Sequence, residues 1–329
     1  MIGIIGTGSW ATALAQVLVD NGKEVLMWGR SEKEVDDINI NHRNSAYFDC
    51  AINNMIKATN DFGLLDCCDI VLLAIPVKAF EEILFRLKEV LSHPVYIINV
   101  AKGFYYENNE LLSNVIKNTL EYRCLDVISL IGPSHAEEVI MRLMTSINSV
   151  CENEEYAKMV QELFANSYFR VYRNFDIIGC QIASAIKNVM ALASGMSVGL
   201  GQGDNCRAAL MTRGLAEMTR FGLASGGKKE TFLGLCGVGD LIVTCSSVHS
   251  RNYQAGLRIG KDDDAGGFMK DNTKTVEGIH TAKAVHDMAK ERKIEMPISE
   301  EVYEVLFENK KPSIAIAELM NRELKREDI

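Results

Sequence analysis

From Ile2 to Trp28 the chain reads "IGIIGTGSWATALAQVLVDNGKEVLMW". Ile2–Ile5 is a short apolar run of the kind that forms a buried strand. Gly6, Gly8 and Ala11 then give the spacing GxGxxA. Leu14, Val17 and Leu18 fall on one side of a helix that Gly22 ends, and "EVLMW" returns as a second strand. Strand, glycine turn, helix and strand within about 30 residues make a parallel crossover unit. Glycines in such a turn let the backbone approach a pyrophosphate. The helix that follows offers unpaired N–H groups and the positive end of its dipole. Gly6 and Gly8 are therefore candidate contacts for a dinucleotide.

The alternation continues outward. "DIVLLAIP", "VYIINVAKG" and "DVISLIGPS" read as buried parallel strands, separated by helical stretches at Ala79–Leu91 and Asn109–Leu120. "TSINSVC" and "FRVYRN" are two further strand candidates. Beyond them the period changes. Helical patterns run over Ile177–Ala193, Arg207–Phe221, His280–Glu291 and Ser299–Phe307. The expected fold is α/β: a Rossmann-type, mostly parallel sheet over residues 1–174, then an all-helical domain over residues 175–329. The hydrophilic stretch Gly260–Lys274, "GKDDDAGGFMKDNTK", reads as a mobile loop that orders over a bound cofactor.

Composition narrows the function. At 329 residues the chain is long enough for two domains, and its net charge of −9 argues against nucleic acid or an anionic membrane as partner. The nine cysteines include no CxxC pair and lie scattered through apolar stretches. They read as reduced core residues of a cytoplasmic protein, with no metal site expected.

One charge stands out. Ile177–Gly203, "IIGCQIASAIKNVMALASGMSVGLGQG", contains a single charged side chain, Lys187. Gln181, Ser184, Asn188, Ser194 and several glycines interrupt the run, so no membrane span is expected. Lys187 either snorkels from the polar edge of a helix or is buried, and a buried ammonium must be paired or give up its proton. Other candidates lie where strands end, since ligands of open parallel sheets bind there: Pro76, Lys102 with Gly103, and Gly132 with Pro133 and Ser134. In the helical half, Asp204 is the expected N-cap of the next helix. Gly234, Gly237 and Gly239 precede Asp240, and Ser250, Arg251 and Asn252 stand together. An arginine fork beside an amide and a free backbone N–H suits a small anion such as phosphate.

"GTGSWATALA", "WGR", "KG" at Lys102, "GPSHAEEV", "AIKNVMALASG", "GLGQGDNCRAALMTRGLAEMTRFG", "GLCGVGDLIVTCSSVHSRN" and "VEG" at Val276 follow one another along nearly the whole chain. In these blocks the sequence resembles the bacterial-type soluble NAD(P)-dependent glycerol-3-phosphate dehydrogenases. The resemblance implies hydride exchange between NADH or NADPH and dihydroxyacetone phosphate / sn-glycerol 3-phosphate, feeding phospholipid synthesis. It implies Lys187 as general acid/base. It implies substrate contacts from Lys102, Gly132, Ser134, Lys187, Asp240, Ser250, Arg251 and Asn252. Cofactor contacts would come from Ser9, Trp10, Arg30, Tyr47, Lys102, Ala136, Arg251 and Glu277. A phosphorylated small molecule is the expected partner, and a homodimer is a possible assembly. Gln181 stands one turn before Lys187 where the family usually has a glutamate.

The chemistry agrees with the residues. Reducing a ketone requires a proton for the forming alkoxide, and an ammonium whose pKa is lowered by apolar surroundings supplies it near neutral pH. Lys102 would stabilise the oxyanion and Asp240 would orient Lys187. At the end of the second strand, where NAD-specific sites place an acid for the ribose 2′-hydroxyl, this chain has Gly29-Arg30. A guanidinium there accommodates a 2′-phosphate, so NADPH is expected to serve at least as well as NADH. Two alternatives are a related two-domain reductase of a hydroxy acid or sugar acid phosphate, and a nucleotide-binding redox sensor without turnover. A sensor needs no proton donor, which disfavours the second.

Overall fold

The computed structural model describes residues 1–324, 326 and 327. Eight strands form one sheet in the order β3-β2-β1-β4-β5-β6-β7-β8. They are β1 (Ile2–Ile5), β2 (Val25–Trp28), β3 (Lys57–Thr59), β4 (Ile70–Leu73), β5 (Val95–Asn99), β6 (Cys124–Ile131), β7 (Thr145–Val150) and β8 (Phe169–Asn174). Every pairing is parallel except β6 with β7. The mostly parallel Rossmann-type sheet is thus present. β3, only three residues long, is too short to announce itself by pattern. β1 lies between β2 and β4, with Ile4 level with Met27 and Leu72. Its side chains feed two cores on opposite faces, Ile2 and Ile4 on one and Ile5 on the other.

Six helices accompany these strands: α1 (Ser9–Asp20), α2 (Glu32–Asp36), α3 (Phe80–Val90), α4 (Leu112–Leu120), α5 (Ala136–Ile140) and α6 (Glu154–Phe164). The helical remainder comprises α7 (Ile177–Gly199), α8 (Asp204–Ala224), α9 (Lys229–Phe232), α10 (Asp240–Ser246), α11 (Arg251–Asp262), α12 (Gly266–Asp271), α13 (Glu277–Arg292), α14 (Pro297–Phe307) and α15 (Pro312–Met320). The chain divides into two compact units. One is Met1–Ala101 with Tyr105–Ile177; the other is Ile178–Ile329 together with Lys102–Phe104.

In the second unit α7 is long and apolar enough to cross a membrane, yet every residue from Gly179 to Ser197 is buried by the protein itself. It is a core helix. It crosses α11 closely, and the crossing is made by glycines from both sides. A Cβ on Gly195 would strike the Tyr253 carbonyl, and one on Gly256 or Gly260 would strike the carbonyls of Leu192 or Met196. A Cβ on Gly199 would come 2.5 Å from the Leu257 carbonyl. Two backbones in such contact gain dispersion energy that any larger residue forfeits.

Two expectations need correction here. The stretch Gly260–Lys274 is not an open loop. It contains the end of α11 and all of α12, with Ala265 and Phe268 buried, and Arg258 pairs with Asp271 at 3.2 Å. Asp263 at the C-cap of α11 also holds Ser313 through its backbone N–H and hydroxyl. Phe268 supplies the apolar anchor that an Asp- and Gly-rich composition concealed. Asp204 is the first residue of α8 rather than its cap. Gly203 takes the N-cap position in extended conformation, and Asp204 instead pairs with Arg207 at 2.6 Å.

Candidate active site

In the first unit the glycine turn has the geometry that its sequence demands. Gly6 has φ +119°, and a Cβ there would lie 2.5 Å from the Ala74 carbonyl, so the position requires glycine. Gly8 is the N-cap of α1, and the space beside its α-carbon is open. No side chain caps α1, and its first turn holds no acidic residue. Its leading N–H groups, on Ser9 and Trp10 among others, have no helical acceptor. An open approach over uncapped N–H groups fits a dinucleotide diphosphate.

The turn is braced by a residue that motif reading passes over. Asn44, fully buried, donates from Nδ2 to the Thr7 carbonyl and to Thr12 Oγ1, both at 2.8 Å. Thr12 Oγ1 in turn donates to the Gly8 carbonyl at 3.0 Å. Thr7 Oγ1 donates to Glu34 Oε2 at 2.5 Å. Tyr47, three residues on from Asn44, is exposed. Ala136 opens α5 and is buried. Gly132, at the end of β6, has φ +154°, and the Ser134 hydroxyl donates to its carbonyl at 3.1 Å.

In the second unit four polar side chains converge. Lys187 on α7 is 4% exposed and Asp240 on α10 is 1% exposed. Lys187 Nζ donates to Asp240 Oδ1 at 2.5 Å and to Thr244 Oγ1 at 2.7 Å. Thr244, one turn after Asp240, passes its own hydrogen to the Asp240 carbonyl at 2.6 Å. Lys102 Nζ takes the other carboxylate oxygen, Oδ2, at 2.9 Å. The carboxylate therefore lies between two ammonium groups. The π-helical turn Leu235–Gly239 delivers it, and Gly237 is obligatory there because any Cβ would enter the backbone of Phe232.

These surroundings set the charge states. Burial pushes the Lys187 pKa down, Asp240 pulls it back up and Lys102 lowers it again, leaving it at about 7. For Asp240 burial acts upward, but the fields of Lys102 and Lys187 prevail and hold it below the usual carboxylate range. A lysine that changes charge near pH 7, fixed by a permanently ionised carboxylate, is equipped to give and take a proton.

The Ser-Arg-Asn cluster belongs to the same unit. Ser250 caps α11, its Oγ accepting from the Tyr253 N–H at 3.2 Å. Arg251 is exposed. Asn252 Oδ1 accepts from the Gly278 N–H at 2.9 Å, which leaves its NH₂ face as a donor. Gly278 follows Glu277, the first residue of α13, and a Cβ on it would lie 2.7 Å from the Asn188 carbonyl. Asn252, the start of α13 and the segment beside Lys187 are thus contiguous.

The model of the NAD-dependent glycerol-3-phosphate dehydrogenase N-terminus matches residues 1–157, and that of the C-terminus matches residues 176–317. The chain belongs to the NAD-dependent glycerol-3-phosphate dehydrogenase family. A glycerol-3-phosphate dehydrogenase [NAD(P)+] of Listeria monocytogenes serotype 4b is 45% identical, over 99% of this chain and 97% of its own length. One from Bacillus cereus is 44% identical, over 99% and 97%. The crystal structure of glycerol-3-phosphate dehydrogenase from Coxiella burnetii superposes with a TM-score of 0.91 at 35% identity, covering 98% of each chain. That of the Saccharomyces cerevisiae enzyme gives 0.83 at 27%, covering 98% of this chain and 99% of the other. A ketopantoate reductase from Ralstonia eutropha shares the fold with a TM-score of 0.61 but only 13% identity. Fold alone does not separate hydroxy-acid reductases from this family; the family matches do.

The family makes this protein an oxidoreductase with NADH or NADPH as cofactor. Two members of the arrangement escaped the sequence. Thr244 was signalled only by its spacing of four from Asp240 on one helix face. Asn44 carried no local signal at all.

Proposed function

We propose that this chain catalyses the reversible NAD(P)H-dependent reduction of dihydroxyacetone phosphate to sn-glycerol 3-phosphate, a precursor for phospholipid synthesis, with Lys187 as general acid/base. In this reading residues 1–174 bind the cofactor and residues 175–329 bind substrate and carry the chemistry, with Lys102 added to the latter. The observation that carries it is the carboxylate of Asp240 held between Lys102 and the buried Lys187, whose pKa is brought down to about 7.

A nicotinamide cofactor, when bound, would supply the hydride for the carbonyl carbon. Lys187 gives a proton from Nζ to the carbonyl oxygen as that bond pair becomes an alkoxide, and the neutral amine is left on Asp240 and Thr244. Lys102 keeps a positive charge beside the developing oxyanion. In the oxidation direction Lys187 starts neutral and takes the hydroxyl proton. Arg251 and the NH₂ of Asn252 bind the substrate phosphate, and that remote binding holds the carbonyl in place for transfer. The turn from Gly6 to Trp10 would take the cofactor diphosphate and Arg30 the adenosine end; the resemblance assigns Tyr47, Ala136 and Glu277 to the cofactor and Gly132, Ser134 and Ser250 to the substrate.

Oxidation of NADPH and NADH, followed by absorbance, tests the reading with dihydroxyacetone phosphate, ketopantoate and 6-phosphogluconate in turn. Only the first should support turnover. Lys187→Ala should then lose about 100- to 10,000-fold in kcat while equilibrium cofactor binding persists. Retention of most of the turnover would remove Lys187 from the mechanism.

A further inference from the structure

At the end of β2 stands an ion pair that the proposed proton transfer does not use. Arg30 Nη2 donates to Glu82 Oε2 at 2.8 Å, and the two side chains are 60% and 63% exposed. Arg30 comes two residues after β2, whereas Glu82 lies in the first turn of α3, the helix that follows β4. β2 and β4 are the two neighbours of β1, from which the glycine turn leaves. Arg86, four residues beyond Glu82, lies over the rings of Trp28 and Phe62 at 5.2 and 4.2 Å, while Glu82 turns to Arg30.

We propose that Glu82 is a specificity-determining residue that holds the Arg30 guanidinium and thereby sets the preference between NADPH and NADH. The inference rests on the reading of Arg30 as the residue facing the adenosine end of the cofactor. A guanidinium offers the same planar fork to a carboxylate and to a phosphate, so the two compete for it. A 2′-phosphate must either displace Glu82 or share Arg30 with a nearby like charge, which costs binding. NADH brings no charge to that point and leaves the pair undisturbed. Because an exposed ion pair is weak, Glu82 lowers the affinity of Arg30 for the phosphate without abolishing it, and both cofactors are accepted. NAD-specific sites place their acid on the second strand, where it holds the ribose hydroxyls. Here the acid comes from a different helix and acts on the arginine.

The test measures kcat/KM, and Kd by the fluorescence of the reduced cofactor, for NADPH and NADH in the parent, E82Q, R30A and the double variant. E82Q should raise the NADPH-to-NADH ratio about three- to tenfold, mainly through KM and Kd of NADPH. R30A should lower the ratio, and in its background E82Q should change nothing further. If R30A lowers the ratio but E82Q leaves it within about twofold in both measurements, Glu82 has no part in specificity while Arg30 keeps its role. If R30A leaves the ratio unchanged, the reading of Arg30 fails and the inference falls with it.

Discussion

The glycine turn at Gly6–Gly8 and the cluster around Lys187 prepare for charge in opposite ways. The residues of the turn itself, Gly6, Thr7 and Gly8, carry no charge. The turn offers open space, a positive φ and backbone N–H groups without acceptors. The cluster uses almost nothing else: two ammonium groups and a carboxylate, with Lys187 and Asp240 withdrawn from water. A site built from backbone has no proton to lose, so its function is insensitive to pH. A site built from buried charges takes its protonation from its neighbours, so each charge removed moves the others. Variants of the turn should alter cofactor affinity and leave the pH profile alone. Variants of the cluster should do the reverse.

Asp240→Asn should give the largest of these effects. Asp240 is the group that raises the Lys187 pKa against burial and Lys102. Ketone reduction needs the ammonium form, so the parent rate should fall as pH rises through about 7, and alcohol oxidation should rise through the same range. Without the carboxylate the Lys187 pKa drops further, and the descending limb of reduction moves to lower pH. At neutral pH the variant should lose about 100-fold or more in turnover, partly recovered on acidification. A pH profile with its limb where the parent has it would show that Asp240 does not govern the proton on Lys187. A changed Kd for NADH would break the division between turn and cluster.

Arg251→Lys comes next. An ammonium keeps the charge but loses the bidentate fork, at a cost of about 1.5–3 kcal/mol for a charged hydrogen bond. That corresponds to roughly 10- to 150-fold in kcat/KM for dihydroxyacetone phosphate. Unphosphorylated dihydroxyacetone should barely register the change. Equal losses on both substrates would mean that Arg251 does not read the phosphate. The limb near pH 7 should stay in place, because Arg251 is no partner in the Lys187 hydrogen bonds.

The same contrast explains what the sequence discloses. The turn is local and complete within the first crossover unit: Gly6 is required by its φ of +119°, and Gly8 leaves open space at the start of α1. The lone charge at Lys187 was visible because the run around it is otherwise uncharged. Its partners were not visible from local pattern: Asp240 lies 53 residues away and Lys102 a further step back, 138 residues from Asp240. Only the resemblance to a family linked them. Nothing in the sequence of α8 shows that Glu217 reaches the start of α14, 81 residues later, where it accepts the Ile298 N–H at 2.6 Å and, through its other oxygen, the Ser299 N–H at 3.2 Å. The glycine crossing of α7 and α11 was equally hidden, since glycines at 195, 199, 256 and 260 read as breaks in a pattern rather than as its purpose. Gly260–Lys274 failed for the opposite reason. Polar composition suggested a free loop, and one buried phenylalanine outweighed it.

Asn44→Ala should give the smallest effect and the sharpest test of the contrast. Asn44 holds the turn by two hydrogen bonds from one NH₂ group, to the Thr7 carbonyl and to Thr12 Oγ1. Alanine leaves the Thr7 carbonyl without that partner in a buried place, which costs about 1–3 kcal/mol of stability. The turn that loosens is the one that must present N–H groups to the diphosphate. KM and Kd for both cofactors should therefore rise together, about three- to tenfold, with kcat nearly kept. The ratio of NADPH to NADH should not move, because Asn44 holds the backbone and Arg30 lies elsewhere. The reduction limb should also stay near pH 7. A lowered Tm with unchanged KM would reduce Asn44 to a packing residue. A displaced pH limb would show that turn and cluster are not independent, and the contrast between a backbone site and a charge site would not survive it.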